Sequence, residues 1–216
     1  MPTSTPQRPT QPIKLYHFAL SGHAHRAQLM LSLLGLPFEL VPVDLMAKDQ
    51  KTPEFLAMNG FGQVPVIQDG DVTLADSNAI LVYLASRYAQ PGDWLATEPV
   101  AMAQVQRWLS VAAGPLAFGP ALARVIQVFK RPIDPQEALQ RAQQLLVVMD
   151  AHLQNTAYLV GDRPSIADVA NYSYVAHAPE GNVDLAPYPH VRAWLRRIEA
   201  LPGFVAMPSS RVGLVA

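Results

Sequence analysis

Two short runs carry residues able to hold a small ligand. In Gly62-Gln63-Val64-Pro65-Val66-Ile67 a proline, which has no N–H, heads an apolar run. It belongs at a strand start or sheet edge, where the residue before it is held extended. Val64 then has an N–H and a C=O to offer to a peptide-like ligand. Further on, Asp76-Ser77-Asn78-Ala79-Ile80 opens a helical pattern with Ile80, Leu81, Leu84 and Tyr88 on one face. Free N–H groups at such a start favour a carboxylate. The chain holds no cysteine, which excludes disulfides, thiolate metal ligands and a cysteine nucleophile. Any thiol chemistry must therefore use a thiol brought in by the ligand.

These residues need a scaffold. Ile13 to His17 reads as a strand, followed by a Ser21-Gly22 turn and an apolar helix through Ala27, Leu31 and Leu34 that stops at Gly35, with Pro37 beyond. Phe38 to Val43 is expected to be a buried strand. A hairpin turning at Asp69-Gly70 connects 64–68 to 71–74, and a helix runs from Ser77. Alternating strand and helix favours parallel pairing of the first two strands, with the hairpin completing the sheet. This is a thioredoxin-like order. Residues 89–94 carry linker chemistry, and helical periods follow: Val105, Trp108, Leu109 and Ala112; then Ala138, Ala142, Leu145, Leu146, Met149 and Leu153; then Val191, Trp194, Leu195 and Ile198. Ser165-Ile166-Ala167-Asp168 is a capping box, so Ser165 and Asp168 are structural. The expected division is a disordered leader at 1–12, a thioredoxin-like α/β domain at 13–89, a linker at 90–97 and an all-α helical domain at 98–216.

Composition narrows the function. The 216 residues are 50% hydrophobic and 15% charged, enough for a sizeable core, and the formal charge of −1 lacks the basic footprint of nucleic-acid binding. No apolar run is expected to approach the length of a membrane span, and residues 1–12 lack a signal peptide's apolar segment. The expectation is a cytoplasmic protein with neither nucleic acid nor membrane as partner.

The spacing from Pro65 to Ser77, with a hairpin between, resembles the glutathione site of the cytosolic glutathione transferases. The Gly161-Asp162-Arg163-Pro164 turn before the capping box resembles that family's helical domain. The likeness runs from Ile13 to Phe204. It implies a cis Val64-Pro65 bond, pairing of Val64 with the cysteinyl part of glutathione, and capture of the γ-glutamyl end by Asp76 and Ser77. Gln50-Lys51, Thr52-Pro53-Glu54-Phe55 and Asn59-Gly60-Phe61-Gly62 resemble the loop that faces the glycyl carboxylate, which implies that role for Gln50, Lys51 and Gln63. Gly60 departs from the proline usual there.

Glutathione's thiol has a pKa near 8.5, so a transferase must favour the anion, and a hydroxyl bonded to sulfur beside a helix start does so. Tyr16, Ser21 and His23 compete for that role. Ser21, five residues before Arg26, resembles the serine of bacterial, serine-type, phi- or theta-like members. A serine before a helix is equally a plain cap. A metal site from His17, His23 and His25 lacks a fourth ligand, so no metal is expected. The resemblance implies a homodimeric detoxification enzyme that conjugates the glutathione thiolate to a small hydrophobic electrophile, with glutathione-dependent peroxidase activity as a second reaction. Its rival is a non-catalytic interaction or ligand-carrier relative. The electrophile is expected near Leu116, Phe118, Leu122 and Arg124.

Overall fold

The computed structural model describes residues 8–216. The expected disorder of the leader falls on 1–7 outside that range, while Arg8, within the expected leader, donates to the carbonyls of Leu34 and Gly35. The chain forms two units, one from the described residues up to Leu95 together with Pro202–Met207, the other from Ala96–Leu201 and Pro208–Ala216.

In the first unit β1 (Ile13–His17) alternates fully buried Ile13 and Leu15 with more accessible neighbours, as a half-buried strand does. Helix α1 (Gly22–Leu33) follows. Its end matches the Gly35 signal: Gly35 sits at φ 59° and the Leu36 N–H returns to the Leu31 carbonyl. Strand β2 (Phe38–Pro42) pairs parallel to β1, Ile13 opposite Phe38. It is not the buried strand expected. It lies at the edge of the sheet order β2-β1-β3-β4, and Leu40 is exposed. The short α2 (Pro53–Met58) is capped by Thr52. Strands β3 (Val66–Asp69) and β4 (Val72–Ala75) form the hairpin, whose two-residue loop is Gly70-Asp71, one residue later than expected. A two-residue loop needs a positive φ at its first position, and Gly70 supplies 57°. Helix α3 (Ser77–Tyr88) buries Ile80, Leu81, Leu84 and Tyr88.

The second unit is helical: α4 (Pro99–Ala113), α5 (Leu122–Val128), α6 (Gln136–Leu153), α7 (Ile166–Ala176) and α8 (Pro189–Glu199). All three apolar stripes read from the periodicity are buried. Residues 117–121 bridge α4 and α5 as a π-helical turn. A Cβ on Gly119 would stand 2.9 Å from the Ala142 backbone nitrogen, so a larger residue would push this turn off α6. Contrary to the sequence expectation, Pro99–Val128 is long and apolar enough by composition to cross a membrane. Half of its most apolar 18-residue stretch is buried inside the protein, and Val105, Trp108, Leu109 and Ala112 belong to the core.

The capping box forms as read. Ser165 Oγ accepts from the Ala167 N–H, and Asp168 accepts from the Ser165 N–H at 2.9 Å. Asp168 also accepts from the Leu159 N–H and from Trp194 Nε1, tying the 159 turn, α7 and α8 through one buried carboxylate.

Candidate active site

A cleft of about 650 Å³ opens in the first unit, a size suited to a small ligand. Its walls are the starts of α1 and α3, the Val64-Pro65 segment and the 45–63 loop. Seven residues singled out in the sequence line it: Ser21, Gln50, Gln63, Val64, Pro65, Asp76 and Ser77. His23 does too.

The Val64-Pro65 bond is cis. Among the described residues, none takes up the N–H or C=O of Val64 in a ladder, turn or side-chain bond. Asn59 shapes the approach. Its amide donates to the Gln63 carbonyl at 2.8 Å while its Oδ1 accepts from the Phe61 N–H, so one buried side chain fixes the loop on both sides of Gly62. In the sequence Asn59 stands only within the 59–62 motif, and its signal is the Asn-Gly turn pair.

Asp76 caps α3 through Oδ1 at 2.8 Å from the Ala79 N–H, and it does so at φ 70°, ψ 122°. Such a backbone is costly for a residue with a Cβ and clusters at ligand sites. Ser77 is buried beside it. Its Oγ lies 3.2 Å from Arg26 Nη1 and 3.3 Å from His23 Nδ1. Burial and the Arg26 cation push the His23 imidazole down to about 3, so it is neutral near pH 7. The N-terminal ends of two helices therefore face one cleft with the Arg26 charge behind them, a setting that favours anions.

Ser21 is the N-cap of α1, its Oγ accepting from the Ala24 N–H at 3.2 Å. That bond uses a lone pair and leaves the O–H to donate, so the capping and donor readings are compatible. Tyr16 is engaged elsewhere: its hydroxyl donates to Gln68 Oε1 at 2.9 Å and its ring packs edge-on against Phe55. Gln50 Oε1 is buried and accepts no hydrogen bond among the described residues. Lys51 is not brought into the cleft. It is exposed, and its Nζ donates to the Phe61 carbonyl at 3.1 Å.

The histidines do not converge. His25 Nε2 bonds to the Val205 carbonyl at 2.9 Å, and among the described residues no group of three potential ligands is placed to hold a metal. Two of the four residues expected near the electrophile are unavailable. Leu116 is fully buried, and Arg124 is buried with its Nε donating to Glu180 at 2.8 Å. Phe118 and Leu122 line a separate pocket of about 240 Å³ with Glu137 and Arg141.

A mixed four-stranded α/β unit with a cleft beside its cis proline, followed by an all-α unit, defines a thioredoxin-like protein with a helical second domain. Comparison with known proteins makes this specific. Residues 15–92 match the model of the glutathione S-transferase N-terminal domain and 107–202 that of its C-terminal domain. The chain is 39% identical over 207 residues to glutathione S-transferase 3 of Zea mays, covering 89% of this chain and 91% of the relative. A glutathione S-transferase crystal structure from Pseudomonas fluorescens superposes with a TM-score of 0.86 at 36% identity, covering 91% of this chain and 99% of that one. A glutathione transferase homologue from Drosophila mojavensis, with bound glutathione, gives 0.81 at 30% identity over 88% of this chain and 89% of that one. The chain belongs to the glutathione S-transferase family. It is a glutathione transferase, with the fold the sequence predicted.

Proposed function

We propose that this transferase conjugates the glutathione thiolate to a small hydrophobic electrophile, with Ser21 donating its O–H to the sulfur. Val64 pairs with the cysteinyl backbone, and Asp76 and Ser77 hold the γ-glutamyl end. Gln50, Gln63 and Lys51 face the glycyl carboxylate, Lys51 after turning from the Phe61 carbonyl. The observation that carries this reading is the meeting of Ser21, Val64 and Ser77 in one cleft walled by two helix starts. A thiolate between them gains from the Ser21 hydroxyl and the α1 dipole, and each pKa unit so gained needs about 1.4 kcal/mol. That is within reach of one charge-assisted hydrogen bond.

The same thiolate can attack a hydroperoxide oxygen, breaking the O–O bond to release the alcohol and leaving a glutathione sulfenic acid that a second glutathione converts to the disulfide and water, so peroxidase activity is the second reaction proposed. The protein acts as a cytoplasmic homodimer in detoxification, with a glutathione domain over 13–89, a linker over 90–97 and a helical domain over 98–216. Retention on immobilised glutathione followed by a chromogenic conjugation assay tests the reading. Failure to be retained would sink it, and retention without conjugation would favour a ligand carrier.

A further inference from the structure

His23, Arg26 and Ser77 form a closed triangle at the inner wall of the cleft. Arg26 Nη1 is 3.0 Å from His23 Nδ1 and 3.2 Å from Ser77 Oγ, and the third side, Nδ1 to Oγ, is 3.3 Å. Arginine has only protons to offer. Nδ1 must therefore be the bare nitrogen and the ring proton must sit on Nε2. Arg26 also fills one lone pair of Ser77. With the single Nδ1 lone pair occupied at the shorter distance, the Ser77 proton is left for an acceptor in the cleft. The triangle presents protons and takes none.

We propose that His23 is the positioning residue of the carboxylate anchor: by holding Arg26 through Nδ1 it keeps Nη1 on Ser77, so that Ser77 meets the ligand as a donor and the anchor selects a carboxylate over an amide. The lowered pKa of His23 fits this, because a protonated ring would have no lone pair for Arg26. Among the described residues, Arg26 on α1 and Asp76 on α3 are charged groups of the two helix starts at this wall, and Asp76 Oδ1 is taken by the Ala79 N–H. Tyr16 and Ser21 take no part.

The inference rests on the glutathione reading, and one titration set separates the two. Calorimetry would compare glutathione with an analogue whose γ-glutamyl α-carboxylate is an amide, using wild type, His23→Asn and His23→Gln. Asparagine puts its Oδ1 where Nδ1 stands; glutamine carries its oxygen one carbon further, out of reach of Arg26. Wild type should prefer glutathione by roughly ten- to a hundredfold, the value of one charge-assisted hydrogen bond. His23→Asn should keep that ratio, and His23→Gln should reduce it severalfold. A residue that merely fills space would weaken both ligands alike and leave the ratio unmoved, which would overturn the inference. If His23→Gln does not fold, nitrogen NMR of the wild type decides, since a proton on Nδ1 refutes the triangle without any ligand. Failure of the wild type to bind glutathione would instead overturn the transferase reading itself.

Discussion

Ser21 carries an observed capping role and a proposed donor role in one oxygen, and replacing it by alanine and by glycine separates them. Its Oγ caps α1 at 3.2 Å from the Ala24 N–H. Alanine forfeits that bond at about 1 kcal/mol, whereas glycine at an N-cap costs only a few tenths. Both remove the O–H proposed to donate to the thiolate, worth about 1.5–3 kcal/mol, or one to two pKa units of the bound thiol. The bound thiol should return towards its free value near 8.5, lowering the thiolate fraction at pH 7 on the order of tenfold. Both variants should thus lose turnover equally at neutral pH, with the deficit closing as pH rises, while only Ser21→Ala loses measurable stability. Urea unfolding reads the first difference, and thiolate ultraviolet absorbance between about pH 6 and 9 reads the second. If both variants keep the wild-type thiol titration, Ser21 only caps the helix. A collapse in Tyr16→Phe would then transfer the donor role to Tyr16 and break the serine-type assignment.

Asp76→Asn retains the cap acceptor and tolerates φ 70°, so it removes charge alone; with Ser77→Ala, calorimetry should show glutathione bound roughly ten- to a hundredfold more weakly, with turnover at saturation less affected. Asp168→Ala strands the Ser165 and Leu159 N–H groups and the Trp194 indole, and should cost at least about 3 kcal/mol in chemical denaturation. His23 is lowered from 6.5 to about 3, so between those values the unfolded chain binds a proton that the folded one does not, and stability falls as pH drops. From pH 7 to 5 this amounts to up to about 2 kcal/mol, absent in His23→Asn; equal pH slopes for the two proteins would show that His23 titrates normally.

Much of the fold was legible because its signals are local. The apolar stripes of α4, α6 and α8 and the Ser165 box lie within single helices, and every one is where its spacing put it. Edge position is not local: Phe38–Pro42 is apolar enough to read as a central strand, and only the sheet order leaves it at the margin. The site divides in the same way. Val64-Pro65 and Asp76-Ser77 are contiguous motifs, so the cleft's outline could be read. The triangle joins Ser77 to Arg26 and His23, 51 and 54 positions earlier, a separation that no local pattern spans. The sequence expectation sets Arg124 beside the electrophile because nothing in the sequence announces Glu180 as its buried partner.

The segment Pro202–Met207 lies beyond the last helix, yet it belongs to the first unit. Its Val205 carbonyl meets His25, and its Gly203 carbonyl accepts from Ser32 Oγ at 2.6 Å. Helix α1, whose first turn carries Ser21 and His23, thus takes two of its hydrogen bonds from residues made more than 170 positions later. During synthesis the ligand-binding half emerges first but cannot complete its own packing until the helical half has followed it out of the ribosome. The order of manufacture and the order of completion are reversed, and a fragment that stops at Leu95 contains every residue of the cleft while lacking the chain that braces it.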